Sequence, residues 1–307
     1  MAFRYDEIGE RLKAFRLGSR LSADEIAKKI DISRTALYRL EKGELVKLET
    51  LEKLSELLGV SIPTMLGVGT EYIPSAVSYF ERLRQLEARS NHIVVLAGPI
   101  SFLLSSDRFH KSLDQVLRES ISEDVPDREE ALADVTEIMK ILEERKRTYH
   151  ERKPNIVNLI SALDIERFLR NGFVGRPFIP EDIQHERRLL AQAEIEHFAN
   201  VIEEESIGIQ IGLFTRSLPH TGFQIFRQLD QKTLTISPFR LGEQPNIRVG
   251  VAMITSASEA LVLHERVVNE MWRTALKGSA AAQYLRELIA KAGSNPKKQM
   301  RGVKVKV

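Results

Sequence analysis

From Ile8 to Leu66, apolar side chains fall at helical spacing in short bursts, separated by residues that favour turns. Ile8, Leu12 and Phe15 open the series, and Gly18 with Ser19 ends the first burst. Ser22 followed by Glu25 forms a capping box for a second, whose apolar side is Ile26, Ala27 and Ile30. Ser33 caps a third, which carries Leu37 and Leu40 inward and stops at Gly43. A fourth runs from about Leu48 to Leu58 with Gly59 as its stop, and Ser61-Ile62-Pro63 starts a last turn. The pattern predicts four or five short helices in quick succession.

The next stretch, GVGTEYIPS at 67–75, has the composition of a connection, and helical spacing resumes with Phe80, Leu83 and Leu86. That helix suits a plain linker or a surface that pairs two copies. HIVVLAGPISFLLSS reads as a buried strand turning at Gly98-Pro99, and Phe109, Leu113, Leu117 and Ile121 mark a helix. Leu132, Val135, Ile138, Met139 and Leu142 form the stripe of another, whose outer side alternates acid and base. PNIVNLISALDIERFLRNG predicts a strand or turn entering a helix that stops at Gly172, and 181–203 is a long helix. The period then changes to two, with IGIQIGLFT, GFQIFRQLD, TLTISPF and NIRVGVAMIT as strand candidates, before helices from Ser258 to Leu276 and Ala280 to Ala292. Helices followed by a small sheet with helices over it make an α/β or α+β domain.

Length and composition sharpen this picture. A chain of 307 residues suits two or three domains, and 43% hydrophobic with 29% charged residues describes a globular protein able to bury a substantial interior. The absence of cysteine excludes disulfide scaffolds, thiolate zinc sites and cysteine nucleophiles. MAFRYDEIGERLK becomes charged too early for a secretory signal, and the longest apolar run, His92 to Leu104, is interrupted by Gly98-Pro99 and falls short of the ~18 residues of a membrane span. A cytoplasmic protein without a membrane partner is expected. The net charge of +2 is near neutral, so charge has to be read locally.

Locally, the second and third bursts stand out. Only Asp31 and Ile32 separate them, and the Ser33 cap must leave helical geometry, so the two helices cross. This is the helix-turn-helix arrangement, in which the second helix of the pair offers its outer face to a DNA major groove. The stretches IGERLKAFR, LSADEIAKKIDISRTALYRLEKGE and LETLEKLSELLGVS resemble, in order and spacing, the lambda-repressor-like (xenobiotic response element, XRE) family of DNA-binding domains. The resemblance implies that Arg34, Thr35, Tyr38 and Arg39 face base edges and that Ser33 and Lys42 lie near phosphates. It also implies contacts from Ser22 and Ala23 at the start of the preceding helix, and an ion pair of Arg16 with Glu41. The family often has Gln directly after the Ser that opens that helix; Ala23 stands there instead. Residue chemistry agrees: arginine bonds bidentately to guanine O6 and N7, and threonine offers a hydroxyl and a methyl to thymine.

No comparable signal for catalysis exists. His185-Glu186 and His264-Glu265 begin like HExxH, but Leu189 and Val268 replace the second histidine. Glu194, Glu196 and His197 read as a Glu-rich solvated surface rather than a metal site. His220, in a loop, and Trp272, the single tryptophan, are candidates for a ligand pocket, against the plainer roles of an exposed loop residue and an interior filler. The expected organisation is multidomain: a mainly α helix-turn-helix domain at 1–68, a linker and connecting helix at 69–90, an α/β (α+β) sensor and dimerisation domain at 91–292, and a basic tail at 293–307. The tail suits phosphate contacts, a solvated arm or an added strand. The expected function is a non-enzymatic, sequence-specific transcription regulator without cofactor or metal. Its partners would be double-stranded operator DNA, a second copy of the chain and a small-molecule effector. An antitoxin-like regulator, whose large domain binds a protein partner, uses the same head and stands as the alternative.

Overall fold

The computed structural model describes residues 4–44, 47–216 and 222–293. Five helices form the head: α1 (Tyr5–Gly18), α2 (Ala23–Lys29), α3 (Arg34–Glu41), α4 (Leu48–Leu58) and α5 (Ile62–Leu66). Three of them, α2, α3 and α5, begin where serines place them. Ser22 makes a complete capping box with Glu25, Ser33 Oγ accepts from the Ala36 amide, and Ser61 Oγ accepts from that of Thr64. Asp31 makes the turn between α2 and α3 in the left-handed region at φ 58°, which aspartate tolerates better than most side chains. Ile8, Leu12, Phe15, Ile26, Leu37, Leu51, Leu54 and Met65 fill the interior of the head. A glycine sets how closely two of its helices approach. A Cβ on Gly9 of α1 would lie 2.6 Å from the Glu41 carbonyl oxygen and 2.7 Å from that of Leu40, so the end of α3 rests directly on α1.

The larger unit is built on one seven-stranded mixed sheet. Its strands are β1 (Thr70–Ile73), β2 (His92–Leu96), β3 (Asn155–Ser161), β4 (Ile209–Phe214), β5 (Phe223–Arg227), β6 (Lys232–Ile236) and β7 (Ala252–Thr255). They lie in the order β1-β7-β6-β5-β2-β3-β4. The pairs β2–β3 and β3–β4 are parallel, and the other neighbours are antiparallel. Strand alternation divides β2 between two cores: Ile93 and Val95 face one side, Val94 and Leu96 the other. The first side is covered by α6 (Ala76–Arg89), α7 (Asp107–Glu119), α8 (Arg128–Arg152), α9 (Ala162–Asn171), α10 (Glu181–Glu203) and α12 (Gly278–Gly293). On the second lies α11 (Ser258–Thr274), which contributes Leu261, Val268 and Met271.

A mainly helical head followed by a larger α+β domain is therefore what the chain forms. The sheet is larger than the four strands expected after residue 206, because β1, β2 and β3 join it. Thr70–Ile73, in the stretch with the composition of a connection, is an edge strand paired with β7, with Ile73 opposite Ala252. The helix that follows, α6, is buried on nearly every side, including the charged Glu81, Arg82 and Glu87. The core of the head consequently runs without a break into that of the sheet. Glu194 also differs from expectation. Rather than lying on a solvated surface it is buried, and it accepts from both the amide and the hydroxyl of Ser106, the residue that caps α7. Satisfying an otherwise unpaired helix end is the physical reason a carboxylate can sit there.

Candidate nucleic-acid interface

The amphipathic pattern of α3 decides what the head presents. Leu37 is 2% exposed and packs into the head, while Arg34, Thr35, Tyr38 and Arg39, with Lys42 just beyond the helix, are exposed. At 3.6 residues per turn these positions share one outward side. The main packing partners of α3 are α1 and α2, so its outer side is left uncovered by the sheet domain. Ser33 is exposed, but its hydroxyl oxygen is engaged by the Ala36 amide at 3.0 Å. Ser22 is likewise engaged: its hydroxyl donates to Glu25 Oε2 at 2.7 Å and its amide to the same oxygen at 2.8 Å. Those bonds hold the Glu25 carboxyl below its ordinary range. Ala23 is 7% exposed and packs in the core, so the side chain that stands in place of the family's amide fills space.

Neighbouring groups orient the outward side chains. Arg34 Nη1 donates to Asp24 Oδ2 at 3.1 Å, and Arg34 Nη2 donates to the Tyr38 hydroxyl at 3.3 Å. The Arg34 guanidinium carbon lies 5.4 Å from the centre of the Tyr38 ring. Arg39 Nε donates to Glu44 at 2.6 Å. Behind this side, Arg16 donates through Nε and Nη2 to the two oxygens of Glu41, the latter at 3.1 Å, which ties α1 to the end of α3. Lys28, Lys29 and Lys42 add exposed positive charge.

The head is fixed to the sheet by a buried polar network that sequence reasoning missed. Glu71 of β1 accepts from Arg11 Nε of α1 at 2.6 Å and from Arg82 Nε and Nη2 of α6 at 3.0 and 2.9 Å. Burial alone would raise the Glu71 carboxyl; the guanidiniums of Arg82 and Arg11 more than reverse this and hold it below the ordinary carboxylate range. Gln85 donates to the Glu10 carbonyl at 3.0 Å and Ser78 to that of Ala14 at 2.9 Å. On the outside, Arg20 reaches Asp127, Glu130 and Asp134 around the start of α8. The positions involved are far apart in sequence, and no local motif announces them.

At the opposite edge of the sheet, Trp272 is half-buried against the core beneath α11 and also lines a cavity of about 390 Å³ with Ile202, Ile209, Ile211, Glu205 and Lys277. The Lys277 ammonium lies 5.0 Å from the Trp272 ring centre. His220 and residues 294–307 of the basic tail lie outside the described residues. Among the described residues, no group of three His, Asp or Glu side chains is arranged to hold a metal, and no helix is long and apolar enough to cross a membrane.

Residues 12–64 match the helix-turn-helix family HTH_3, a span that takes in the second half of α1, all of α2 to α4 and the start of α5. The N-terminal unit is thus a helix-turn-helix domain of the XRE type, and it supports a DNA-binding transcription regulator. No curated protein matches the chain.

Proposed function

We propose that the chain is a sequence-specific transcription regulator that acts as a dimer on a near-palindromic operator, with the larger domain pairing the subunits and holding a small-molecule effector. The observation that carries the reading is the division of α3 into a buried side at Leu37 and an uncovered side bearing Arg34, Thr35, Tyr38 and Arg39. In this reading Arg34 takes the O6 and N7 of a guanine, Thr35 a neighbouring thymine, and Lys42 with the α2 and α3 N-termini the phosphates. One head reads one half-site. Two copies place their α3 helices in successive major grooves about 34 Å apart. The cavity beside Trp272 has the size of a small-ligand site and supports an effector. Such a ligand regulates only by binding the DNA-competent and incompetent arrangements unequally.

Selection from a library of random duplexes, followed by footprinting on the enriched sequence, tests the proposal. The expected result is a two-fold symmetric site with protection on one side of the duplex at one-turn spacing. A chain that enriches no sequence overturns the reading.

A further inference from the structure

We propose that Asp24 is a specificity-determining positioning residue, which with Tyr38 holds the Arg34 guanidinium in the orientation that demands guanine in each half-site. The inference rests on the DNA-binding reading above. It begins from an oddity of charge: Asp24 lies in the first turn of α2, beside the presented side of α3, and its side chain is 66% exposed. A carboxylate facing a duplex is repelled by the phosphates, and its general benefit at a helix N-terminus is small.

Its partner explains its place. Asp24 Oδ2 takes Nη1 of Arg34 across the turn, the Tyr38 hydroxyl takes Nη2, and the Tyr38 ring lies alongside the guanidinium. The same ring lies 5.8 Å from the guanidinium carbon of Arg16, which is itself tied to Glu41. A line of contacts thus runs from Asp24 through Arg34, Tyr38 and Arg16 to Glu41, joining α2, α3 and α1. An exposed ion pair adds little to stability, so fold maintenance does not account for it. Its consequence is orientation. Arginine has N–H donors beyond the two engaged by Asp24 and Tyr38, and these remain to meet guanine O6 and N7. A guanidinium already held on two sides has little rotamer freedom left to lose on binding. Without the carboxylate, the long side chain is free to swing to a phosphate, which is present at every sequence. Ala23 is buried and carries no amide, so Asp24 supplies the support that α2 gives to the reading side chain.

The test is the random-duplex selection run with the full chain as wild type, Asp24→Asn and Tyr38→Phe, followed by anisotropy titrations on the enriched duplex, its single-base variants and a scrambled duplex. The wild-type selection is expected to hold guanine at a fixed place in each half-site. Asp24→Asn should cut the preference for guanine at that place by about tenfold, leave the other positions unchanged, and tighten binding to scrambled DNA. Tyr38→Phe, which keeps the ring, should give a smaller loss at the same place. Unchanged thermal midpoints are expected for both variants. The inference is overturned if Asp24→Asn keeps the full guanine preference, or if it changes affinity equally for every duplex, as mere phosphate repulsion would. A wild-type chain that enriches nothing overturns the DNA-binding reading itself and this inference with it.

Discussion

Glu71→Ala perturbs the joint on which the orientation of the head depends. The Glu71 side chain is 5% exposed, between those of Arg11 at 10% and Arg82 at 4%. Truncating it leaves two guanidiniums buried near one another without the carboxylate that compensates both. Removing one partner of a buried pair costs about 3–5 kcal/mol. Arg11 keeps a bond to Glu7 at 3.3 Å and Arg82 one to Gln85 at 2.6 Å, which places the expectation at the lower end, about 3 kcal/mol. For a domain stable by ~5–15 kcal/mol this is a large fraction. Urea denaturation followed by far-UV circular dichroism and by fluorescence of the single tryptophan should show the midpoint falling with little change in slope. A second variant separates charge from packing: Arg11→Met, Glu71→Leu and Arg82→Met together remove the whole cluster and should restore most of the stability or exceed it. A loss below about 1 kcal/mol for Glu71→Ala, or a triple variant as unstable as the single one, would refute the reasoning.

Two other perturbations probe the fold. Gly9→Ala drives a methyl group to within 2.6–2.7 Å of backbone carbonyls at the end of α3, and the resulting strain of ~1–3 kcal/mol outweighs the roughly 1 kcal/mol that alanine adds to a helix. Its thermal midpoint should fall, and an unchanged one would show that the α1–α3 crossing has room to spare. Lys146 is buried with its ammonium donating to the carbonyls of Leu103 and Ser105, and burial pulls its pKa down to about 8. Below that pH the amine is charged in both folded and unfolded chains and its full burial cost is present. The cost fades between pH 8 and the ordinary lysine value of ~10.4, because the folded chain releases the proton first. Wild type should therefore gain up to ~3 kcal/mol relative to Lys146→Met across that window. A gap that stays constant with pH would contradict the assignment.

How much of this was legible depended on the distance over which each interaction acts. The Ser22–Glu25 box, the Ser33 cap and the stop at Gly59 are local, and the helices of the head follow them closely. The long helices and most strands of the sheet domain also announce themselves by period. What escaped is non-local or polar. A four-residue strand between glycines and a proline looks like a connection until its partner at Ala252–Thr255 is in place. The charged positions of α6 look solvent-facing until Arg82 is seen against Glu71 of β1 and Glu87 against Arg145 of α8. Asp24 reads as an ordinary acidic first-turn residue until Arg34, ten positions later, is seen to donate to it. Arg16 and Glu41 were paired in expectation through the family resemblance, since nothing in their spacing alone joins them.

The central claim is that the outer side of α3 reads base edges. Its most direct measurement is an anisotropy titration of wild type and Arg34→Ala on the selected duplex and on a scrambled one, over a series of salt concentrations. The account predicts that Arg34→Ala loses about 1–3 kcal/mol on the selected duplex, chiefly at one base position, while its binding to scrambled DNA changes far less. Binding by Arg34→Ala that equals wild type on both duplexes at every salt concentration would contradict it.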